Sequence, residues 1–156
     1  MPLIDSVTLQ PGRHFWVRLP PGQDLMAGIE AFCRQEAVPW AVFRAAGTLS
    51  SVTVGAYDQR QQVFATHRVE GDLDIAVCDG TVSITGANGV SDGRIVVSDL
   101  QGVLTGGRLF GPSVVHAAEA LLIEYTGSVP ERFIDPVSGR CVWPLPGSRP
   151  SSSIVP

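Results

Sequence analysis

Asp92-Gly93-Arg94-Ile95-Val96-Val97-Ser98-Asp99-Leu100-Gln101-Gly102-Val103-Leu104-Thr105-Gly106-Gly107-Arg108-Leu109 is the most legible stretch of this chain. Two β-branched runs flank Leu100-Gln101-Gly102, a short connection that ends on glycine. Such a loop closes a hairpin through a type I turn, with Gly102 in the left-handed conformation of a bulge. If the loop is those residues alone, Asp99 pairs with Val103, and counting outward puts Arg94 opposite Arg108. Like charges facing each other across a ladder cost roughly 0.2–1 kcal/mol unless an anion lies between them. Gly106-Gly107 strips side chains from the strand just before Arg108, which lets another backbone or a ligand come close.

The 156 residues are 44% hydrophobic and 17% charged, with a formal net charge of −4. That length and balance fit one domain with a real core, not a disordered chain. An acidic chain without a basic run argues against sequence-independent DNA binding, which draws on lysine and arginine neutralising phosphates. Cys33, Cys78 and Cys141 are widely spaced and include no Cys-x-x-Cys pair, so reduced, mostly buried thiols are expected. Met1 to Gln10 lacks the basic and apolar regions of a signal peptide, and no apolar run approaches a membrane span. The expected location is therefore the cytoplasm.

N-terminal to the hairpin, His14 to Leu19 reads as a first strand stopped by Pro20-Pro21-Gly22. Leu25, Met26, Ile29, Phe32 and Cys33 form one apolar stripe at helical spacing, with Asp24 at the N-terminus and Val38-Pro39 at the end. Trp40–Ala46 and Val52–Tyr57 read as two strands separated by Gly47 to Ser51. Asp58 to Gln61 is a polar turn. In the next strand, Val63, Ala65, His67 and Val69 share a face. His67 reads as a hydrogen-bonded core or interface histidine, or else as a ligand. Leu73, Ile75 and Val77 alternate with Asp74, Ala76 and Cys78 as a half-buried strand. Asp79-Gly80 suits either a turn or a continuing strand, and Gly86 to Ser91 reads as a loop.

C-terminal to the hairpin, Gly111-Pro112-Ser113 reads as a turn. Val114, Ala117, Ala118, Leu121, Leu122 and Tyr125 then form a helical stripe, although Leu121-Leu122-Ile123 also suits a buried strand. Six of the last thirty residues are proline. There Arg132-Phe133-Ile134 and Arg140-Cys141-Val142-Trp143 flank a turn and form a possible short hairpin. A surface tail is expected after Pro144.

Several of these pieces resemble the PPC domain, the plants and prokaryotes conserved domain. They are Arg18 to Leu25 entering the helix, Gly47-Thr48-Leu49-Ser50, Glu70-Gly71-Asp72-Leu73-Asp74-Ile75, and Gly102 to Leu109. The resemblance runs from about residue 18 to 126, so the chain divides into a PPC-like domain (1–126) and a proline-rich extension (127–156). It implies an α+β fold, a mainly antiparallel sheet with one principal packed helix, assembled as a trimer. It also implies that Val114 to Tyr125 is a strand.

Many prokaryotic members of that family ligate zinc through a His-x-His pair and a Gly-Gly-His-Leu turn. The matching positions here are Asp92, Arg94 and Arg108, and a guanidinium offers no lone pair to a metal. The resemblance therefore implies a lost zinc site, and neither metal nor cofactor is expected. The AT-hook that precedes the plant domain is also missing, since Ser148-Arg149-Pro150 is too little to count.

These readings favour a non-catalytic homotrimer that binds a partner or a small anion, with candidate site residues Asp92, Arg94, Gly106, Gly107, Arg108 and His67. Arg94 and Arg108 either share Asp92 as a structural ion pair or fork around a carboxylate or phosphate. One alternative is an enzyme using Asp92, His67 or Glu119 as acid–base groups at a subunit interface. The other is a DNA-associated regulator. No nucleophile elbow, phosphate loop or catalytic triad is present in the sequence.

Overall fold

The computed structural model describes residues 6–85, 88–128 and 132–142. The elements are β1 (Gln10–Leu19), α1 (Leu25–Gln35), β2 (Trp40–Asp58), β3 (Val63–Thr85), β4 (Asn88–Ser98), β5 (Leu104–Thr126), β6 (Phe133–Ile134) and β7 (Cys141–Val142). The main sheet is antiparallel in the order β1-β5-β2-β3-β4, and β4 pairs again with β5. That second pairing closes β2, β3, β4 and β5 into a ring. β1 lies outside it, on the C-terminal half of β5.

The hairpin forms as its sequence predicts. The Asp99 amide donates to the Val103 carbonyl at 3.1 Å and Gly102 N–H to the Asp99 carbonyl at 3.0 Å. Gly102 has φ +80°. Asp99 Oδ1 also accepts from the Gln101 and Val103 amides, each at 2.9 Å. The register then runs from Ser98↔Leu104 to Arg94↔Arg108.

The helix keeps its apolar stripe. Leu25, Met26, Ile29 and Cys33 are buried, and Asp24 caps the N-terminus by accepting from the Ala27 amide. Phe32 packs edge-on against Phe15 at 5.1 Å between centroids. This face joins Phe43, Leu49, Val52, Val54, Ile95 and Leu122 in one core. Cys33 and Cys78 are buried and Cys141 is partly exposed, all as free thiols. Burial pushes the Cys33 and Cys78 thiols up to about 11 and about 12.

Several local expectations give way to long, bulged strands. Trp40–Ala46 and Val52–Tyr57 are one strand, whose ladders shift register around Gly47 and Ser50. Gly111-Pro112-Ser113 is not a turn but an irregularity inside β5. There Asp24 Oδ2 accepts from the Ser113 amide at 2.7 Å, and Thr53 Oγ1 donates to the Pro112 carbonyl at 2.7 Å. A bulge between Ile75 and Val77 turns Val77 outward, 52% exposed, and turns Cys78 in. The strand runs on past Asp79-Gly80 to Thr85. The expected loop from Gly86 to Ser91 is mostly strand, since β4 begins at Asn88.

Val114 to Tyr125 is strand rather than helix. Paired on both sides, by β1 and β2, it buries Val115, Ala118, Ala120 and Leu122. The possible hairpin in the C-terminal extension is present as β6 and β7, with Phe133↔Val142 and Ile134↔Cys141 in register. The tail expected after Pro144 lies outside the described residues.

Candidate functional site: an arginine pair at the closure of the ring

Arg108 stands where β5 is paired on both sides, opposite Arg94 on β4 and Gly55 on β2. Cross-strand partners share a face, so both guanidiniums and Asp92 emerge on one side of the ring. Asp92 Oδ1 accepts from Arg94 Nη1 at 2.5 Å and lies 3.5 Å from Arg108 Nε. One carboxylate oxygen thus serves both arginines. Of the two arrangements left open by the sequence, the shared ion pair is formed in the chain alone.

The two arginines are held differently. The Arg94 side chain is about half exposed, whereas that of Arg108 is 22% exposed. The Arg108 guanidinium carbon lies 4.7 Å from the Phe64 ring centroid and 5.7 Å from that of Phe110. Cation–π contacts of this kind are worth about 0.5–2 kcal/mol, more where water is excluded. Among the described residues, no protein acceptor takes a hydrogen bond from the Arg108 side chain. Burial, with Arg94 and Arg140 nearby, pushes the Arg108 pKa below its ordinary value, and Asp92 opposes that shift.

Gly106 and Gly107 belong to this construction rather than to a ligand cradle. A Cβ on Gly107 would sit 2.7 Å from the Gly55 carbonyl oxygen, and one on Gly106 would sit 2.8 Å from that of Ile95. The close approach expected from the Gly-Gly pair is that of backbone, from β2 and β4.

His67 does not join the cluster. It is exposed on β3 and pairs with Val54. Glu119 accepts from Trp16 Nε1 at 3.0 Å and pairs with Ala46, far along β2 from Val54. Within one chain, then, the acid–base candidates Asp92, His67 and Glu119 are dispersed. An open groove of ≈ 290 Å³ between α1 and β5 is lined by Asp24, Met26, Glu30, Ser91, Arg108 and Phe110. Its carboxylates are engaged, Asp24 by the Ala27 and Ser113 amides and Glu30 by Ser91 and Arg34. Among the described residues no group of histidine, cysteine, aspartate and glutamate could hold a metal ion. One carboxylate facing two guanidiniums does not suit a zinc ion.

Sequence reasoning missed the C-terminal hairpin as part of this face. Tyr57 O–H donates to the Ser138 carbonyl at 2.6 Å, and Gln62 Nε2 to the Val137 carbonyl at 3.0 Å. Arg132 Nη2 reaches Thr81 Oγ1 at 3.5 Å, and Thr81 is the ladder partner of Asp92. The Arg140 guanidinium carbon lies 5.5 Å from the Tyr57 ring centroid. The one signal available was Arg132 and Arg140 bracketing the short hairpin, and it did not reveal what the hairpin packs on.

Such a ring of long antiparallel strands, closed by a hairpin and packed on one helix, defines a small α+β domain. Residues 7–126 match the Plants and Prokaryotes Conserved domain, and the chain belongs to that family. A metal-containing protein of Archaeoglobus fulgidus is similar in structure, at TM-score 0.84 and 27% identity, over 91% of this chain and 100% of that one. A plant- and prokaryote-conserved protein of Pyrococcus horikoshii also gives TM-score 0.84, at 23% identity, over 91% and 98%. A Ralstonia eutropha protein carrying a provisional DNA-binding label gives 0.72 at 23% identity, over 84% and 90%. No curated protein matches the chain. Among the described residues no helix is long and apolar enough to cross a membrane.

Proposed function

We propose that this protein is a non-catalytic homotrimer that binds a small anion at the Arg94–Arg108 pair. The observation that carries the reading is that the one Asp92 oxygen hydrogen-bonds Arg94 and stands only 3.5 Å from Arg108 Nε, so it does not use up the donors of both guanidiniums. Arg108 is left half-buried, stacked on rings, with hydrogen-bond donors to spare. A carboxylate or phosphate would take those donors in a charge-assisted, bidentate manner. Asp92 holds the pair together in the ligand's absence.

Citrate and inorganic phosphate should raise the melting temperature of the parent protein, and Arg108→Ala should abolish that rise while leaving a folded chain. Equal protection of both proteins would overturn the reading. The trimer is tested by native mass spectrometry at micromolar concentration, where monomer alone would refute it.

A DNA-associated role draws support from the provisional labels on similar structures. Against it stands the net charge of −4. No mobility shift with random duplex is expected at physiological salt and sub-micromolar protein.

A further inference from the structure

The C-terminal hairpin brings a third guanidinium to the arginine face. The face is built as a row of rings with a guanidinium at each end. Arg140 lies over Tyr57 at 5.5 Å, Tyr57 against Phe64 at 5.0 Å, and Phe64 under Arg108 at 4.7 Å. Phe64 also meets Phe110 at 5.0 Å, which closes the stack on the far side of Arg108. These rings fix where both guanidiniums stand without using their hydrogen-bond donors. The hairpin is anchored by the Tyr57–Ser138 and Gln62–Val137 hydrogen bonds and by Arg132 on Thr81, none of which uses Arg140. Within the turn, Asp135 is spent on Ser138, accepting from its amide at 2.9 Å and also from its hydroxyl. It is therefore no counter-ion for Arg140.

We propose that Arg140 is a specificity-determining residue of the anion site, selecting doubly charged oxyanions such as a phosphate monoester over singly charged carboxylates. This rests on the reading of Arg94 and Arg108 as an anion site. Asp92 pairs with Arg94 and Arg108 but not with Arg140, whose charge is felt at Arg108, so among the described residues the face holds a surplus of positive charge that one carboxylate ligand leaves partly unmet. Asp79, the ladder partner of Arg94, is exposed and makes no ion pair with it among the described residues. The three arginines come from β4, β5 and the hairpin, so a tetrahedral ligand with several charged oxygens can engage more of them than a planar carboxylate can. Hairpin docking and ligand charge are thereby coupled.

The test is calorimetric titration of the full chain with phenyl phosphate and with acetate. Arg140→Ala and Tyr57→Phe are measured beside the parent. The parent should bind phenyl phosphate at least tenfold more tightly than acetate. Arg140→Ala should lose most of that preference while keeping its acetate affinity, because Arg94 and Arg108 remain. Tyr57→Phe keeps every charge but loosens the hairpin anchor, and should weaken phenyl phosphate selectively. If Arg140→Ala binds both ligands as the parent does, the role of Arg140 is refuted and the two-arginine site stands. If the parent binds neither ligand, the anion site itself fails.

Discussion

At the residue scale the deciding object is the Asp92 carboxylate. It stabilises two cations that the ladder forces together, so its removal should be felt in both folding and binding. Asp92→Asn keeps the shape and takes away the charge. The expected cost is about 1–2 kcal/mol, moderate because Arg94 is half exposed and solvent screens part of the pair. The same variant should bind phosphate more tightly, since the competing anion has gone. Chemical denaturation and titration on one sample check both parts; a loss of stability with weaker phosphate binding would make Asp92 a ligand-positioning group instead.

A second residue pair sets the acid limit of the fold. Arg13 Nε donates to Glu124 Oε2 at 2.8 Å and joins β1 to β5. Hydrogen bonds from the Arg13 side chain and backbone hold the Glu124 carboxyl below its ordinary range. A carboxylate with a depressed folded-state pKa contributes stability that is full above its unfolded value, about 4.3, and is lost as the pH falls through the folded one. The melting temperature should therefore drop steeply below about pH 4. Glu124→Gln should start lower at neutral pH and show a shallower acid limb, as thermal melts across pH 3–7 will show.

At the scale of elements, glycines separate what the ring needs from what a turn needs. A Cβ at Gly80 on β3 would come within 2.3 Å of the Asp92 carbonyl oxygen and 2.8 Å of the Phe43 ring. Gly80→Ala should cost at least about 2–3 kcal/mol, because both obstacles belong to the packed ladder. At Gly102 a Cβ meets nothing within 4 Å, and only φ +80° opposes it. Gly102→Ala should cost about 1–2 kcal/mol. Comparable melting temperatures for the two variants would contradict the close packing of the β3–β4 ladder at Gly80.

The same scale shows how far sequence could reach. The turn at Leu100-Gln101-Gly102 and the opposition of Arg94 and Arg108 were legible because both follow from a local rule: loop length sets register. The helix was legible because its stripe and its Asp24 cap lie within one segment. Val114 to Tyr125 misled the pattern. Its buried residues are chosen by neighbours on two other strands and shifted by irregular pairing, so an accidental helical spacing survives. Resemblance to the PPC domain, not periodicity, supplied the strand assignment there. Val77 was misplaced for a related reason, since nothing between Ile75 and Val77 announces a bulge. The site itself was half legible. Asp92, Arg94 and Arg108 fell out of the hairpin register; Tyr57 and Phe64 face each other across the next turn back, but only tertiary packing brings that pair and Arg140 to the arginines.

At the scale of the whole molecule, closure of the ring determines where the chain can still grow. Paired sheets aggregate through unpaired edges, which offer free amides and carbonyls to any passing strand. Here the pairing of β4 with β5 removes the free edge that β4 would otherwise present at the end of the sheet. Among the described residues no strand pairs with the outer side of β1. Along it Pro11 lacks an amide hydrogen, and Arg13, His14 and Arg18 add charge or polarity. These are features that discourage a stacked neighbour. The seam that crowds two arginines together thus also acts as a guard against fibrillar self-association, and a variant that breaks the ring at the adjoining β3–β4 ladder, at Gly80, should become sticky before it becomes unfolded.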